Sequence, residues 1–241
     1  MTWIVLILSA IAGGIVQTVT GFGAAVVMML FLPSFMGMLG APAIVQTICA
    51  GLSIPLAVRF RKQAKLKACI FPAVIYIFFS AAFIYLIDSF DLDVLKLVFG
   101  IFLILLCLYS LLLAKNLRVK ANVGTAILFS AISGVFSGLF GIGGPLMAVY
   151  FLAATDGKEE YVGTSQMFFA ICNIFNLILR CVRGIFTVEM IPMTLVGILA
   201  INAGKLSGLK ILDRINAELM RKLVYAFIGI AGLINVIQYF A

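Results

Sequence analysis

Gly21-Phe22-Gly23-Ala24 and Gly141-Ile142-Gly143-Gly144-Pro145 each interrupt a long charge-free apolar run, and the two interruptions stand 120 residues apart. Glycine lacks the Cβ that restricts the backbone and proline lacks an amide donor, so both stretches break a helix. What they break needs breaking. The charge-free runs are 1–58, 68–87, 97–114, 121–155, 161–179, 190–204 and 223–241. As one helix, residues 1–58 would extend roughly 87 Å at about 1.5 Å per residue, against a hydrocarbon core of roughly 30 Å. The first break, with Gly37-Met38-Leu39-Gly40-Ala41-Pro42, divides this run into 1–20, 24–36 and 42–58. The second break divides 121–155. The pieces 24–36 and 146–155 are short for a crossing and are expected to be half-membrane or re-entrant helices, tolerated where they line a cavity or are buried in protein.

The repeat extends beyond the breaks. At the same offset Gly14 matches Gly134, Gln46 matches Gln166 and Pro72 matches Pro192, and after a length difference Lys96-Leu97-Val98-Phe99 matches Lys222-Leu223-Val224-Tyr225. A duplicated unit is expected, residues 1–120 and 121–241, within a single transmembrane domain spanning 1–241.

Composition sets the class. Of the 241 residues 64% are hydrophobic and 11% charged, and the mean hydropathy is +1.24, whereas soluble domains are about half apolar and a quarter charged. The net charge of +8 comes from short clusters between apolar runs, which argues against nucleic acid as a partner. There is no His, which excludes a Ser-His triad and His-ligated haem. Cys49, Cys69, Cys107, Cys172 and Cys181 stand singly in apolar stretches, so no metal, cofactor or disulfide framework is expected, and the chain does not read as an enzyme. Ala10-Ile11-Ala12 imitates a signal-peptide cleavage site. It lacks a basic n-region, and the N-terminal run is expected to remain a membrane segment.

Basic residues orient the chain. With Arg59, Arg61, Lys62, Lys65 and Lys67 in the cytoplasm, five segments per half place fourteen of the seventeen Lys and Arg on that side, leaving Lys96, Arg180 and Arg183 outside. Four segments per half would export the basic loop 205–222. An odd count per half gives the halves opposite orientation, as in many secondary transporters. The expected fold is therefore an all-α polytopic membrane protein. It has two inverted repeats of about five membrane segments each, and each repeat starts with glycine-broken or re-entrant helices.

A helix that begins at a mid-membrane break offers free N–H groups and the positive end of its dipole, so Gly21, Gly23, Gly141, Gly143 and Gly144 are candidate anion-binding positions. Close helix packing is the plainer role for such glycines. Gln46 and Gln166, at matched positions in apolar helices, carry amides that can donate to sulfonate or carboxylate oxygens. Thr47, Thr164, Ser165, Asn173 and Asn176 follow on the same helices, and Gln17, Thr18, Thr20, Ser133 and Ser137 precede the breaks. Arg180 and Arg183 fall at the external mouth, where they would recruit an anion or else snorkel and pair with Glu189.

The paired breaks, each followed by a polar helix (Gln46-Thr47 and Gly163-Thr164-Ser165-Gln166), resemble the TauE/SafE sulfite exporter family, also called the 4-toluenesulfonate uptake permease family. The resemblance covers essentially the whole chain. It implies a multi-pass transporter of the bacterial inner membrane for sulfite, sulfonates such as sulfoacetate, or related small anions. An anion channel without alternating access is the alternative. The partners this implies are the small anion and the lipid bilayer, with a coupling ion (H+ or Na+) and a homodimer as open options. The first half departs from the pattern, with Ala24-Ala25 where the second has Gly144-Pro145.

Overall fold

The computed structural model describes residues 2–89 and 120–216, with scattered positions between 91 and 104 and between 219 and 237. Within them the chain is helical: α1 (Thr2–Thr20), α2 (Ala24–Met29), α3 (Pro33–Arg59), α4 (Leu66–Leu86), α5 (Val123–Phe140), α6 (Gly144–Ala154), α7 (Lys158–Val182) and α8 (Ile191–Arg214). Six of the described helices have spans long and apolar enough to cross a membrane, and α6 is a shorter apolar helix. Apart from those scattered positions, the expected fifth segment of each half lies outside the described residues, as does the Lys96 and Lys222 match.

Local chemistry sets the boundaries. Asn122 caps α5: its Oδ1 accepts from Thr125 N–H at 2.9 Å while Thr125 Oγ1 accepts from Asn122 N–H at 3.1 Å, a reciprocal box that satisfies orphan donors. Gly21 (φ 84°), Gly23 (φ 106°) and Gly141 (φ 70°) occupy the left-handed region, which side-chain-bearing residues seldom adopt. The stretch 24–36, expected as one piece, is divided. Helix α2 ends at Met29 and Pro33 opens α3, where a missing N–H costs nothing. The break at 37–42 is a single kink at Gly37 (φ 72°, ψ 169°), after which the helix runs through Pro42.

Packing pairs elements of one half with elements of the other. Helix α1 lies along α8, α5 along α4, and α3 along α7; α4 also meets α7, and α3 meets α8. Individual side-chain contacts give the directions. Phe60 opposes Gly163 and Gln46 opposes Arg180, so α3 and α7 are antiparallel. Ser80 bonds Asn176 and Tyr85 bonds Arg183, so α4 runs parallel to α7. Ile48 faces Gly197 and Gly51 faces Ile198, so α8 runs parallel to α3. A Cβ on Gly14 or Gly204 would run into the carbonyl of Ile201 or Ile11, and one on Gly134 or Gly138 would come within 2.5 or 2.6 Å of the Tyr76 or Ser80 carbonyl. These glycines serve close helix approach, as small residues do in membranes. Short connections join the ends. At one end Lys65 pairs with Asp156 at 2.9 Å and Glu160 at 3.1 Å, which holds its ammonium above the ordinary lysine value, and Lys158 Nζ donates to Leu212 O. At the other end Arg183 pairs with Asp88 at 2.7 Å. The basic loop 59–67 and the end of α8 thus share one end of the bundle, and Asp88 and Arg183 share the other.

Candidate functional site

Each break turns the chain back on itself. Helix α6 returns along α5, with Ser130 Oγ 3.6 Å from Met147 Sδ, and α2 packs on α1, where a Cβ on Gly13 would rest 3.1 Å from Ala24. The two turns meet: a Cβ on Gly144 would sit 3.0 Å from the Phe22 ring. Between them is a cleft lined by Gln17, Phe22, Gly23, Ala25, Val26, Cys49, Tyr76, Gly141, Ile142, Gly143, Gly144, Phe169 and Asn173. Of the residues expected at a site, Gly23, Gly141, Gly143, Gly144 and Asn173 therefore share one space. Gly143 has an ordinary φ of −113°. What demands glycine there is the Tyr76 hydroxyl, into which a Cβ would run.

Helix α6 opens at the cleft and is 11 residues long, whereas α2 has 6. Only α6 has the length to present an appreciable dipole, since that effect grows with aligned peptides. The departure at Ala24-Ala25 thus coincides with the weaker of the two helix ends.

Two hydrogen-bonded layers flank the cleft. In one, Gln166 Nε2 donates to Gly21 O at 2.7 Å, Gln166 Oε1 accepts from Gln17 Nε2 at 3.1 Å, and Gln17 Nε2 also donates to Ser53 Oγ at 3.0 Å. Tyr161 Oη donates to Thr20 O at 2.6 Å and closes over Gly21. In the other, Gln46 Nε2 donates to Ser137 Oγ at 2.9 Å, Gln46 Oε1 accepts from Arg180 Nε at 3.0 Å, and Asn176 bridges Ser137 Oγ (3.1 Å) and Ser80 Oγ (2.9 Å). Each glutamine braces the first helix of the opposite half. Their amides are engaged with protein groups, and neither glutamine lines the cleft.

The remaining expected residues separate. Thr47 Oγ1 donates to Ala43 O at 2.8 Å and Ser165 Oγ to Val162 O at 3.2 Å, both bonding the preceding turn. Thr164 Oγ1 accepts from Lys65 N–H at 3.0 Å at the basic end. Arg183 is at the opposite mouth, paired with Asp88 rather than Glu189, its guanidinium 4.9 Å from the Tyr85 ring centre. Arg180, expected at that mouth, is instead fully buried, with 0% exposure. It stands in the last turn of α7 but faces the bundle interior, where α3 and α5 cover it. Sequence reading missed Tyr76, Ser53 and Ser80, and it gave Cys49 no place at the site. The serines are polar interruptions in apolar helices and could have been noticed; nothing local distinguishes Tyr76 or Cys49.

Residues 6–234 match a family model described as sulfite exporter TauE/SafE. No curated protein and no solved structure matches the chain at a significant level.

Proposed function

The chain belongs to the sulfite exporter TauE/SafE family, a family of membrane transporters, and we propose that it is a secondary carrier of small sulfur-containing or organic anions, sulfite and sulfonates such as sulfoacetate among them. The observation that carries this reading is the meeting of two glycine-broken turns, Phe22 against Gly144, around a shared cleft. Backbone of both breaks and the neutral polar side chains of Gln17 and Asn173 face that space. Such a lining holds an anion by dipoles and hydrogen bonds, weakly enough for release. The anion would lie against the α6 N-terminus at Gly143 and Gly144.

Alternating access is supported by how the halves pair. Residues 1–120 and 121–241 act in this reading as inverted repeats of one domain, because α3 and its counterpart α7 run antiparallel and, when the halves are exchanged, the α1–α8 pairing maps onto α5–α4 and α4–α7 onto α8–α3. The two polar layers would then act as alternate closures on either side of the cleft. The compartment we assign is a bacterial inner membrane, with the basic loop 59–67 cytoplasmic.

The test is uptake of sulfite and methanesulfonate into proteoliposomes holding the full-length protein. Stimulation of uptake by the same anion preloaded inside is expected of a carrier. Anion flux without such counterflow would replace the carrier by a channel. Reporter fusions check the repeats: one after Lys120 should read cytoplasmic and one at Gly184 external, and a cytoplasmic signal at both would overturn the opposed halves.

A further inference from the structure

Arg180 is the one charged residue among the described positions that is fully buried. Its Nε donates to Gln46 Oε1 at 3.0 Å, and its Nη2 donates to Gly138 O at 2.8 Å and Ser137 O at 3.4 Å. Every acceptor is neutral. The ion pairs among the described residues involve Lys65 and Arg183, not Arg180. Nη1 has no hydrogen-bond partner among the described residues, and neither has the buried Ser133 Oγ, which lies one turn before Ser137 on α5.

The competing account is purely structural: Arg180 caps the C-terminal carbonyls of α5. That end of a helix carries roughly half an elementary charge, so the guanidinium stays under-compensated, and capping leaves Nη1 unused. Removing an unpaired charge from water is costly. A charge kept inside a membrane protein at such cost marks an ion or substrate path. The position along α7 fits one. Asn173 lines the cleft, Asn176 bonds the same Ser137 hydroxyl as Gln46, and residues 173, 176 and 180 fall on one helical face.

We propose that Arg180 is the charge-selecting contact of the carrier, its Nη1 taking an oxygen of a small oxyanion at a subsite beside the cleft, with the Ser133 hydroxyl as a second donor. The inference rests on the carrier reading and adds to it: the neutral lining of the cleft positions the substrate, and the guanidinium decides that it must be an anion. Gln46 holds the side chain in place through Nε, leaving the far end of the fork for the ligand.

Binding and uptake of methanesulfonate, with neutral dimethyl sulfone as the isostere, test this on the full-length protein. Arg180→Gln should weaken methanesulfonate at least tenfold, as loss of a charge-assisted bond does, and abolish the preference over dimethyl sulfone. Because Arg180→Gln could fail to fold, Gln46→Glu provides a second route. It sets a carboxylate where Oε1 now meets Nε, at the cost of the Nε2 donation to Ser137, so the protein should still unfold in one cooperative transition while methanesulfonate affinity falls at least tenfold. A Gln46→Glu or Arg180→Gln protein that binds methanesulfonate within twofold of wild type overturns the subsite and leaves the carrier standing. Wild-type protein that takes up no small anion overturns the carrier reading, and the subsite with it.

Discussion

The layers around Gln46 and Gln166 are the same device built twice with different charge. Each glutamine reaches from the third helix of its half to the end of the first helix in the other half, and each spends its amide on that contact. Around Gln166 everything is neutral: Gln17, Ser53 and the Gly21 carbonyl. Around Gln46 a guanidinium enters from α7. The two matched positions therefore share a bracing role, while only Gln46 meets a buried cation. What the two positions share points to the residues that hold the breaks; what differs between them points to the chemistry.

The sharpest test of that difference is stability. Gln46→Ala removes the acceptor of a charged donor, a loss of about 1.5–3 kcal/mol, whereas Gln166→Ala removes two neutral membrane hydrogen bonds of about 0.6 kcal/mol each. Chemical denaturation of the two variants in detergent should rank Gln46→Ala as the more damaged, and equal losses would mean that Arg180 draws little from Gln46. The breaks come next. Gly143→Val drives a branched side chain into Tyr76 and should cost about 1–3 kcal/mol as overpacking, with methanesulfonate uptake falling further than expression does. Adding Tyr76→Ala to that variant should restore part of the uptake; no recovery would locate the demand for glycine elsewhere. Gly21→Ala combines a positive φ with the Tyr161 ring, 2.5 Å from its Cβ. A loss of about 1–3 kcal/mol is expected from the backbone alone, and Tyr161→Phe should not rescue it. Smallest is the outer ion pair: Asp88→Asn should change stability by less than about 1 kcal/mol and weaken little else, measured by Tm at low and high salt.

Much of this molecule was legible because its determinants are local. A charge-free run too long for the bilayer must be cut, and glycines with no Cβ show where. Gly21, Gly23 and Gly141 adopt the backbone that their sequence context suggested. The same reasoning overreached at 24–36, where Pro33 ended one helix and began another. It also treated the matched glutamines as ligand donors. In the structure their amides are spent on Ser137 and Gly21, partners 91 and 145 residues away along the chain. Local pattern carries no information about such partners.

The sequence by itself determined that the chain lives in a membrane, that two glycine-rich breaks 120 residues apart interrupt its apolar runs, and which loops carry the positive charge. These follow from hydropathy, from backbone restriction and from the cost of moving charge across lipid, all readable along one dimension. Only the tertiary structure decided that Phe22 meets Gly144, that both glutamine amides are committed to the protein, and that Arg180 turns inward. In the last turn of α7, an arginine can reach water or stay inside, and the sequence near it is the same in either case. Burial followed from antiparallel packing of α3 on α7, which set the Gln46 carbonyl and the last carbonyls of α5 within reach of the guanidinium.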